Sequence, residues 1–261
     1  MSKTLSRPPT KDFVMRAIRK LPEVTIYFWI VKLLTTAMGE STSDYLVYHI
    51  NPYIAVALGG SGLLAALIIQ LSVRRYVAWI YWLTVMMVAI FGTMAADVMH
   101  IVLNISYLAS TMCFLGALAI IFVVWYISEK TLSIHSITTR RRELFYWATV
   151  MATFALGTAA GDMTAATLGW GYFASAILFS ILFIAPALAY KLFGLNEIAA
   201  FWFAYIMTRP LGASFADWFA KPSLGGLGLG DTWVSLVLTI LIIGFVGYLT
   251  VTRKDIKGEQ H

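Results

Sequence analysis

The sequence predicts an all-α, polytopic membrane protein of about eight transmembrane helices, built from four direct copies of a two-helix repeat. The first observation is composition: 60% of the 261 residues are hydrophobic and 12% are charged, whereas soluble domains carry about 25% charged residues. The second is a mean hydropathy of +0.79, too high for a fold covered by water. The third is a pattern of Trp, Gly and Asp that recurs four times along the chain.

Eight apolar stretches are long enough to cross a hydrocarbon core of about 30 Å. They lie at 24–48, 53–73, 76–103, 107–127, 144–168, 172–193, 198–220 and 233–251. The segments between them are rich in turn-forming or charged residues, among them Asn51-Pro52, Arg74-Arg75 and the Gly-rich loop 222–230. Each stretch is therefore predicted to be one transmembrane span.

The basic residues predict the orientation of these spans. With a cytoplasmic N-terminus, sixteen of the nineteen Lys and Arg residues fall on the cytoplasmic side. Lys221 alone falls outside, and Lys32 and Arg209 lie within spans. Because cytoplasmic loops are enriched in basic residues, both termini are predicted to be cytoplasmic. The net charge of +6 then reflects topology, and no nucleic-acid partner is expected.

The chain is predicted to consist of a basic cytoplasmic N-terminal segment (1–21), an eight-helix membrane domain (22–252) and a cytoplasmic tail (253–261). The repeats within it are placed at about 22–75, 76–130, 141–195 and 196–254. The N-terminal segment has six basic residues and lacks the continuous apolar core of a signal peptide. It is predicted to be either an amphipathic helix on an anionic membrane surface or a disordered tail.

The odd-numbered spans share one ungapped pattern. Each has an aromatic residue and then Trp, with Gly ten positions and Asp fifteen positions after the Trp. The four sets are Trp29/Gly39/Asp44, Trp82/Gly92/Asp97, Trp147/Gly157/Asp162 and Trp202/Gly212/Asp217. Since each repeat has two spans, the odd spans run in the same direction, and the repeats are related by rotation about the membrane normal. The four Asp residues are predicted to share one depth, about 22 Å beyond their Trp and in the outer half of the membrane.

These carboxylates are the candidate ion-binding residues. The set comprises Glu40, Asp44, Asp97, Asp162 and Asp217. Ionisable residues within spans cost about 2.5–3.5 kcal/mol each on insertion scales and usually serve function, although a single Asp near a helix end can merely cap the next helix. Against Lys32 and Arg209 they leave three negative charges, so protons or bound cations must supply the balance. Carboxylate ligands suit Mg²⁺, Mn²⁺ or Ca²⁺.

Two basic residues make the repeats unequal. Lys32 occurs in the first repeat only, and Arg209, followed by Pro210, in the fourth only. They are the candidate counter-ion or coupling residues, with Arg209 as a fixed clamp on one carboxylate and Lys32 as the group that exchanges a proton. The alternative is that each only neutralises a nearby carboxylate. Pro210 is predicted to kink or break the seventh span.

Two histidines lie near the depth of the aspartates and are candidate metal ligands. His100 follows Asp97 by three positions, and His49 lies directly after the first predicted span. Imidazole ligands would favour a transition metal such as Mn²⁺ or Zn²⁺. The alternative for each is an interfacial residue bonded to backbone or water.

These features predict a proton-coupled secondary transporter of a metal or other cation, with membrane lipid, the cation and protons as its partners. One alternative is a cation channel with a pseudo-fourfold ring of Asp, and another is a membrane enzyme or assembly factor. The chain has no His-x-x-Glu-His motif, nucleophile elbow or phosphate loop, so neither an enzymatic activity nor a cofactor is expected. Substrate, direction and homo-oligomerisation are left open.

Two segments of the repeat resemble a known family. PEVTIYFWIVKLLTTAMGESTSDYL and RRELFYWATVMATFALGTAAGD are similar to the repeat of a bacterial inner-membrane family of unknown function. The resemblance covers residues 21–253 and implies bacterial origin, location in the inner membrane and tandem two-helix repeats. It implies no activity.

Overall fold

A computed structural model describes residues 20–256, which form eight α-helices with no β-strand among them. The helices are α1 (Ile26–His49), α2 (Pro52–Ser72), α3 (Ala78–Asp97), α4 (Tyr107–Glu129), α5 (Arg140–Asp162), α6 (Gly171–Phe193), α7 (Glu197–Ala220) and α8 (Asp231–Thr252). Each predicted apolar stretch corresponds to one helix. The predicted amphipathic helix or tail at the N-terminus and the last five residues lie outside the described residues.

Local sequence explains where several helices begin and end. The Thr25 side chain accepts a hydrogen bond from the Phe28 N–H at the start of α1. Asn51 and Asn196 cap α2 and α7 in the same way, as short polar side chains do at helix N-termini. At the end of α6, Gly194 takes a left-handed conformation (φ 68°) that glycine adopts without strain.

Two of the odd-numbered helices continue beyond their Asp residue as one wider turn. A π-helical turn, Val98–Val102, follows α3, and another, Met163–Thr167, follows α5. Turns of this kind are frequent at functional sites. Within residues 20–256 the first and fourth repeats have no such turn. The second and third repeats therefore share a π-helical turn after the Asp residue, which distinguishes them from the other two.

The odd-numbered helices form an inner ring, and the even-numbered helices lie outside it. Within the ring α1 contacts α3, α3 contacts α5, α5 contacts α7, and α7 returns to α1. Each even helix packs chiefly on the odd helix that follows it, and α8 packs on α1. The arrangement is therefore cyclic, with each repeat covering the next one and the fourth covering the first.

The repeated glycine brings neighbouring inner helices together. In each copy a Cβ on the glycine would clash with the residue three positions before the glycine of the next repeat. The contacting pairs are Gly39 with Ala89, Gly92 with Phe154, Gly157 with Arg209 and Gly212 with Thr36. On Gly92, for example, a Cβ would lie 2.7 Å from the Phe154 Cβ. Glycine at this position lets the helix backbones approach closely.

Six helices within residues 20–256 are long and apolar enough to cross a membrane, namely α2, α3, α4, α5, α6 and α8. The other two, α1 and α7, are 24 residues long but carry the charged residues of the inner ring. Those charges are buried: Lys32 and Arg209 are 0% exposed and Glu40 is 2% exposed. Neighbouring helices therefore cover charges that would be costly to expose to lipid.

The described ends of the chain meet at one end of the bundle, called the terminal end below; the opposite end is the Asp end. The Glu23 N–H donates to the Asp255 carbonyl (2.9 Å), and the Tyr76 hydroxyl donates to the Asp255 carboxylate (2.5 Å). Lys20 forms a buried ion pair with Glu143 (2.5 Å). The end of the predicted N-terminal segment thus packs on the bundle.

Pro210 does not break α7. The helix runs from Glu197 to Ala220 with Pro210 inside it, although proline removes one backbone hydrogen bond. The proline ring is buried and faces Gly157 of the neighbouring α5. The predicted break is therefore wrong, since α7 is continuous through Pro210 and Gly157, which has no side chain, leaves room for the ring. The predicted kink stays a prediction.

Candidate ion-binding site

Residues at intervals of four along the inner helices form five layers, each with one residue from every repeat. From the terminal end to the Asp end the layers are Phe28/Tyr81/Tyr146/Phe201, Lys32/Val85/Val150/Tyr205, Thr36/Ala89/Phe154/Arg209, Glu40/Thr93/Thr158/Ala213 and Asp44/Asp97/Asp162/Asp217. All are buried except Phe201, Asp97 and Asp162, which are partly buried. The inner ring therefore changes from aromatic to acidic along its length.

Arg209 joins the fourth repeat to the other three. Its guanidinium donates to the Thr36 carbonyl (2.8 Å), Glu40 Oε2 (2.5 Å) and Thr158 Oγ1 (2.6 Å), and also to Thr93 Oγ1. The two threonine hydroxyls donate to backbone carbonyls of the preceding turn, so their oxygen atoms are oriented to accept. The guanidinium thus occupies the middle of the ring and is ion-paired with Glu40.

Lys32 lies one layer nearer the terminal end and contacts aromatic rings. Its Nζ is 3.9 Å from the centroid of the Phe154 ring and 4.3 Å from that of Tyr205. No side-chain or backbone atom of the described residues accepts a hydrogen bond from it. The ammonium is held by cation–π attraction, and it forms no ion pair with the candidate carboxylates.

Three of the predicted carboxylates come together at the Asp end. Oxygen atoms of Glu40, Asp162 and Asp217 all lie within 4.8 Å of one another, close enough for one cation to contact all three. Asp44 is linked to Asp217 through a shared basic partner, described next. Asp97 occupies the same layer, but it is not part of this group, and no basic residue within 20–256 forms an ion pair with it.

The shared partner is Lys221, the residue that ends α7. Its Nζ lies 2.8 Å from Asp44 Oδ2 and 2.8 Å from Asp217 Oδ1. Burial lowers the pKa of Lys221, but the carboxylates of Asp217, Asp44 and Glu40 raise it more, so that it lies well above its ordinary value. From the sequence, Lys221 was predicted only to be the one exterior basic residue. Its spacing of four from Asp217 is the signal that could have identified it.

The two candidate histidine ligands lie apart from the carboxylate group. A ring nitrogen of His49, Nδ1, is 2.8 Å from the Tyr45 carbonyl, and the ring is stacked on Tyr45. His100 Nδ1 is 2.9 Å from the Ile105 carbonyl, and its ring is stacked on Tyr107. Both imidazoles are thus bonded to nearby backbone, and the group of described residues close enough to hold a metal contains neither.

The donor set fits a hard cation better than a soft one. Carboxylate oxygens are the ligands of Mg²⁺, Ca²⁺ and Mn²⁺, and such ions keep water in the positions that the protein leaves free. The five carboxylates and the two basic groups among them, Arg209 and Lys221, leave three negative charges if all are ionised. One divalent cation and one proton would balance that charge.

On the other side of Arg209 the ring is filled by aromatic residues. The hydroxyls of Tyr81 and Tyr146 are 2.5 Å apart, and those of Tyr146 and Tyr205 are 3.5 Å apart. All three side chains are at most 1% exposed. A row of hydroxyls therefore runs across the ring to Tyr205, whose ring contacts Lys32.

The chain belongs to a family of proteins built from a repeat of unknown function, DUF347. The model of this family matches four segments, 27–76, 80–131, 145–194 and 200–255, and these correspond to the four predicted repeats. The prediction of a tandem-repeat family of unknown function is thereby confirmed, while bacterial origin and inner-membrane location stay predictions. No curated protein and no solved structure is similar to the chain.

Proposed function

We propose that this DUF347 protein is a proton-coupled secondary transporter that carries a metal or other cation across a bacterial inner membrane. All eight helices cross the membrane, with both termini in the cytoplasm and the Asp end in its outer half. The observation that carries the proposal is the group of Glu40, Asp162 and Asp217, whose oxygen atoms lie within 4.8 Å of one another inside the helix ring. Such a group is costly in a membrane unless a cation or protons use it.

The charge balance supports coupling to protons. Arg209 keeps its charge under all ordinary conditions, and its ion pair with Glu40 is buried. The three negative charges that remain must be balanced whenever the site is shielded from water. A cation that enters the site would displace protons from it, and protons that return would release the cation. The simplest transport cycle that keeps these charges balanced is therefore the exchange of a cation for protons.

A carrier fits the inner ring better than a channel does. A channel requires a continuous path for the ion along the ring axis. Here Arg209 and Phe154, both 0% exposed, fill one layer, and the buried Tyr81 and Tyr146 fill another nearer the terminal end. A cation bound at the Asp end would have to pass a fixed positive charge, so its release on the other side requires the helices to rearrange.

Lys32 is the proposed proton-exchanging group. It is buried without a hydrogen-bond acceptor, and lysine, unlike arginine, can lose its proton in such surroundings. The hydroxyls of Tyr81, Tyr146 and Tyr205 would carry that proton towards the terminal end, because each can accept and donate a hydrogen bond. Lys32 Nζ contacts the Tyr205 ring and forms no hydrogen bond with a described residue, so this transfer requires the Lys32 side chain to move to the Tyr205 hydroxyl. Lys32 would act on the carboxylates through Arg209 and the helices rather than by direct contact.

The test is a flux assay with purified protein in liposomes that contain a metal-sensitive and a pH-sensitive dye. We expect an imposed pH gradient to drive uphill movement of Mn²⁺ or another divalent cation. Asp162→Asn and Asp217→Asn should each lower the rate about tenfold or more, the loss that follows from about 1.4 kcal/mol of binding. Glu197→Gln, which alters an exposed carboxylate at the terminal end, should leave the rate unchanged. No cation flux, or equal rates in the Asn variants, would refute the proposal.

The same assay tests Lys32. Lys32→Ala is expected to keep cation movement down its own gradient but to abolish uphill movement driven by the pH gradient. The variant removes the proton-exchanging group and leaves every carboxylate in place. If Lys32→Ala transports with unchanged proton coupling, Lys32 serves only to stabilise the fold.

A further inference from the structure

A cationic group already sits against the carboxylates of the proposed site. The Lys221 ammonium is 2.8 Å from oxygens of both Asp44 and Asp217, which belong to the first and fourth repeats. Asp217 is also one of the three carboxylates close enough to share a cation. The ammonium and an incoming cation would therefore compete for the Asp217 carboxylate.

The backbone at Lys221 is fixed, while its side chain has a way out. The loop after Lys221 folds back on the last turn of α7, where Leu227 N–H donates to the Trp218 carbonyl (2.7 Å) and Gly230 N–H to the Ala220 carbonyl (2.9 Å). The Lys221 side chain is nevertheless 23% exposed, in contrast to Arg209, which is 0% exposed. Rotation about its side-chain bonds can thus move the ammonium from the carboxylates towards solvent without moving α7.

We propose that the Lys221 ammonium is a tethered substitute for the transported cation, bound to Asp44 and Asp217 when no cation is present and displaced towards solvent when one enters. The inference rests on the proposed function. It also defines the substrate class more closely. A divalent metal ion carries more charge than the ammonium, so the carboxylates attract it more strongly at the same distance and it can displace the ammonium. A monovalent ion has no such advantage.

The competing interpretation is that Lys221 only ties α7 to α1. A tie of that kind would hold the two helices together whether or not a cation is present, and its removal would not change the affinity for a cation. If Lys221 is instead a tethered competitor, two results are expected. Removal of its charge tightens cation binding, and cation binding exposes the Lys221 side chain to solvent.

The experiment measures both in purified, full-length protein in detergent, with Mn²⁺ as the probe. Equilibrium binding is compared between the wild type, Lys221→Gln and Lys191→Gln, the last being a control at an exposed lysine near the end of α6. Acetylation of Lys221 by an amine-reactive reagent is quantified by mass spectrometry with and without Mn²⁺, and acetylation of Lys191 serves as the internal reference. Asp217→Asn shows whether Mn²⁺ binds at the carboxylates.

We expect Lys221→Gln to bind Mn²⁺ about tenfold or more tightly than the wild type, because a unit charge in contact with the site is removed. Lys191→Gln should bind like the wild type, and Mn²⁺ should raise acetylation of Lys221 but not of Lys191. Transport that depends on Asp217, with unchanged affinity in Lys221→Gln or unchanged acetylation of Lys221, would overturn the inference and leave the proposed function standing. Absence of Mn²⁺ binding in both the wild type and Lys221→Gln, with no cation flux, would overturn both.

Discussion

Arg209 occupies a position that every repeat contains, yet only the fourth repeat has a charged residue there. The equivalent residues are Thr36, Ala89 and Phe154, and Arg209 bonds to the layer immediately beyond them. A buried guanidinium requires a carboxylate and several acceptors. Glu40 and two threonine hydroxyls provide them, and the fourth residue of that layer, Ala213, is small. In these two layers the asymmetry of the repeats therefore lies in one ion pair.

Arg209→Met should lower the free energy of unfolding by about 3–5 kcal/mol, because it leaves Glu40 buried without its partner. Thermal unfolding of the purified protein in detergent measures this loss. The double variant Arg209→Met/Glu40→Gln should regain a large part of the loss, since the uncompensated charge is then removed. Arg140→Met, at an exposed arginine, should change stability by less than about 0.5 kcal/mol. Additive effects of the two inner substitutions would contradict the ion-pair account.

At the scale of single residues, the sequence identified the charged positions but not their partners. The shared depth of the aspartates is predicted from the ungapped repeat, and Arg209 was set apart, together with Lys32, as a candidate counter-ion. Which carboxylate Arg209 contacts depends on how the neighbouring helices are rotated about their axes, and the sequence alone does not give that rotation. Lys221 was missed because it lies just beyond the end of an apolar stretch and was counted only as an exterior charge. Its spacing of four positions from Asp217 was not considered.

At the scale of helices, the repeated glycine sets how closely the inner helices approach. Each glycine faces the next repeat at the same position, and the fourth faces the first. The contact between Gly92 and Phe154 is a simple case, since both residues are uncharged and lie outside the carboxylate group. The ring therefore depends on four equivalent contacts, and the one at Gly92 can be tested separately from the ion pair of Arg209.

Gly92→Ala should destabilise the protein by about 1–3 kcal/mol, the usual cost of overpacking. The added Cβ would lie 2.7 Å from the Phe154 Cβ, which cannot move without its helix. Gly116→Ala is the matched control, because nothing lies within 4 Å of a Cβ there. That change should be neutral or stabilising by up to about 1 kcal/mol, as alanine favours helix. Equal unfolding temperatures for the two variants in detergent would show that the inner helices are not in tight contact at Gly92.

The eight helices were predictable from the sequence, whereas their packing order was not. Helix length and the polar residues between helices follow from the apolar stretches, and the caps at Thr25, Asn51 and Asn196 use residue types that favour helix starts. The even helices, however, are apolar on all sides, so no stripe indicates which inner helix they contact. Their placement on the helix of the following repeat became evident only from the fold, as did the π-helical turns after Asp97 and Asp162.

At the scale of the whole molecule, both described ends of the chain are held at the terminal end. Asp255 accepts a hydrogen bond from Tyr76 and its backbone carbonyl binds Glu23, while Lys20 pairs with Glu143. Burial raises the pKa of the Asp255 carboxyl, and the Tyr76 hydrogen bond offsets part of that rise. The Gly-rich loop 222–230 lies at the opposite end, next to Lys221. The terminal end thus holds both described ends of the chain, whereas the Asp end carries the carboxylates, Lys221 and the Gly-rich loop.

This polarity determines the orientation that we expect in a membrane. Within residues 20–256, ten of the thirteen basic residues lie towards the terminal end, and the positive-inside rule predicts that this side faces the cytoplasm. In a Cys113→Ser background, a membrane-impermeant maleimide added to intact cells should label Ser223→Cys, in the Gly-rich loop, but not Ser136→Cys or Lys257→Cys. The latter two should react only after the cells are permeabilised. Labelling of either from outside would reverse the orientation and would place the carboxylate group in the inner half of the membrane, so that cations would reach it from the cytoplasm.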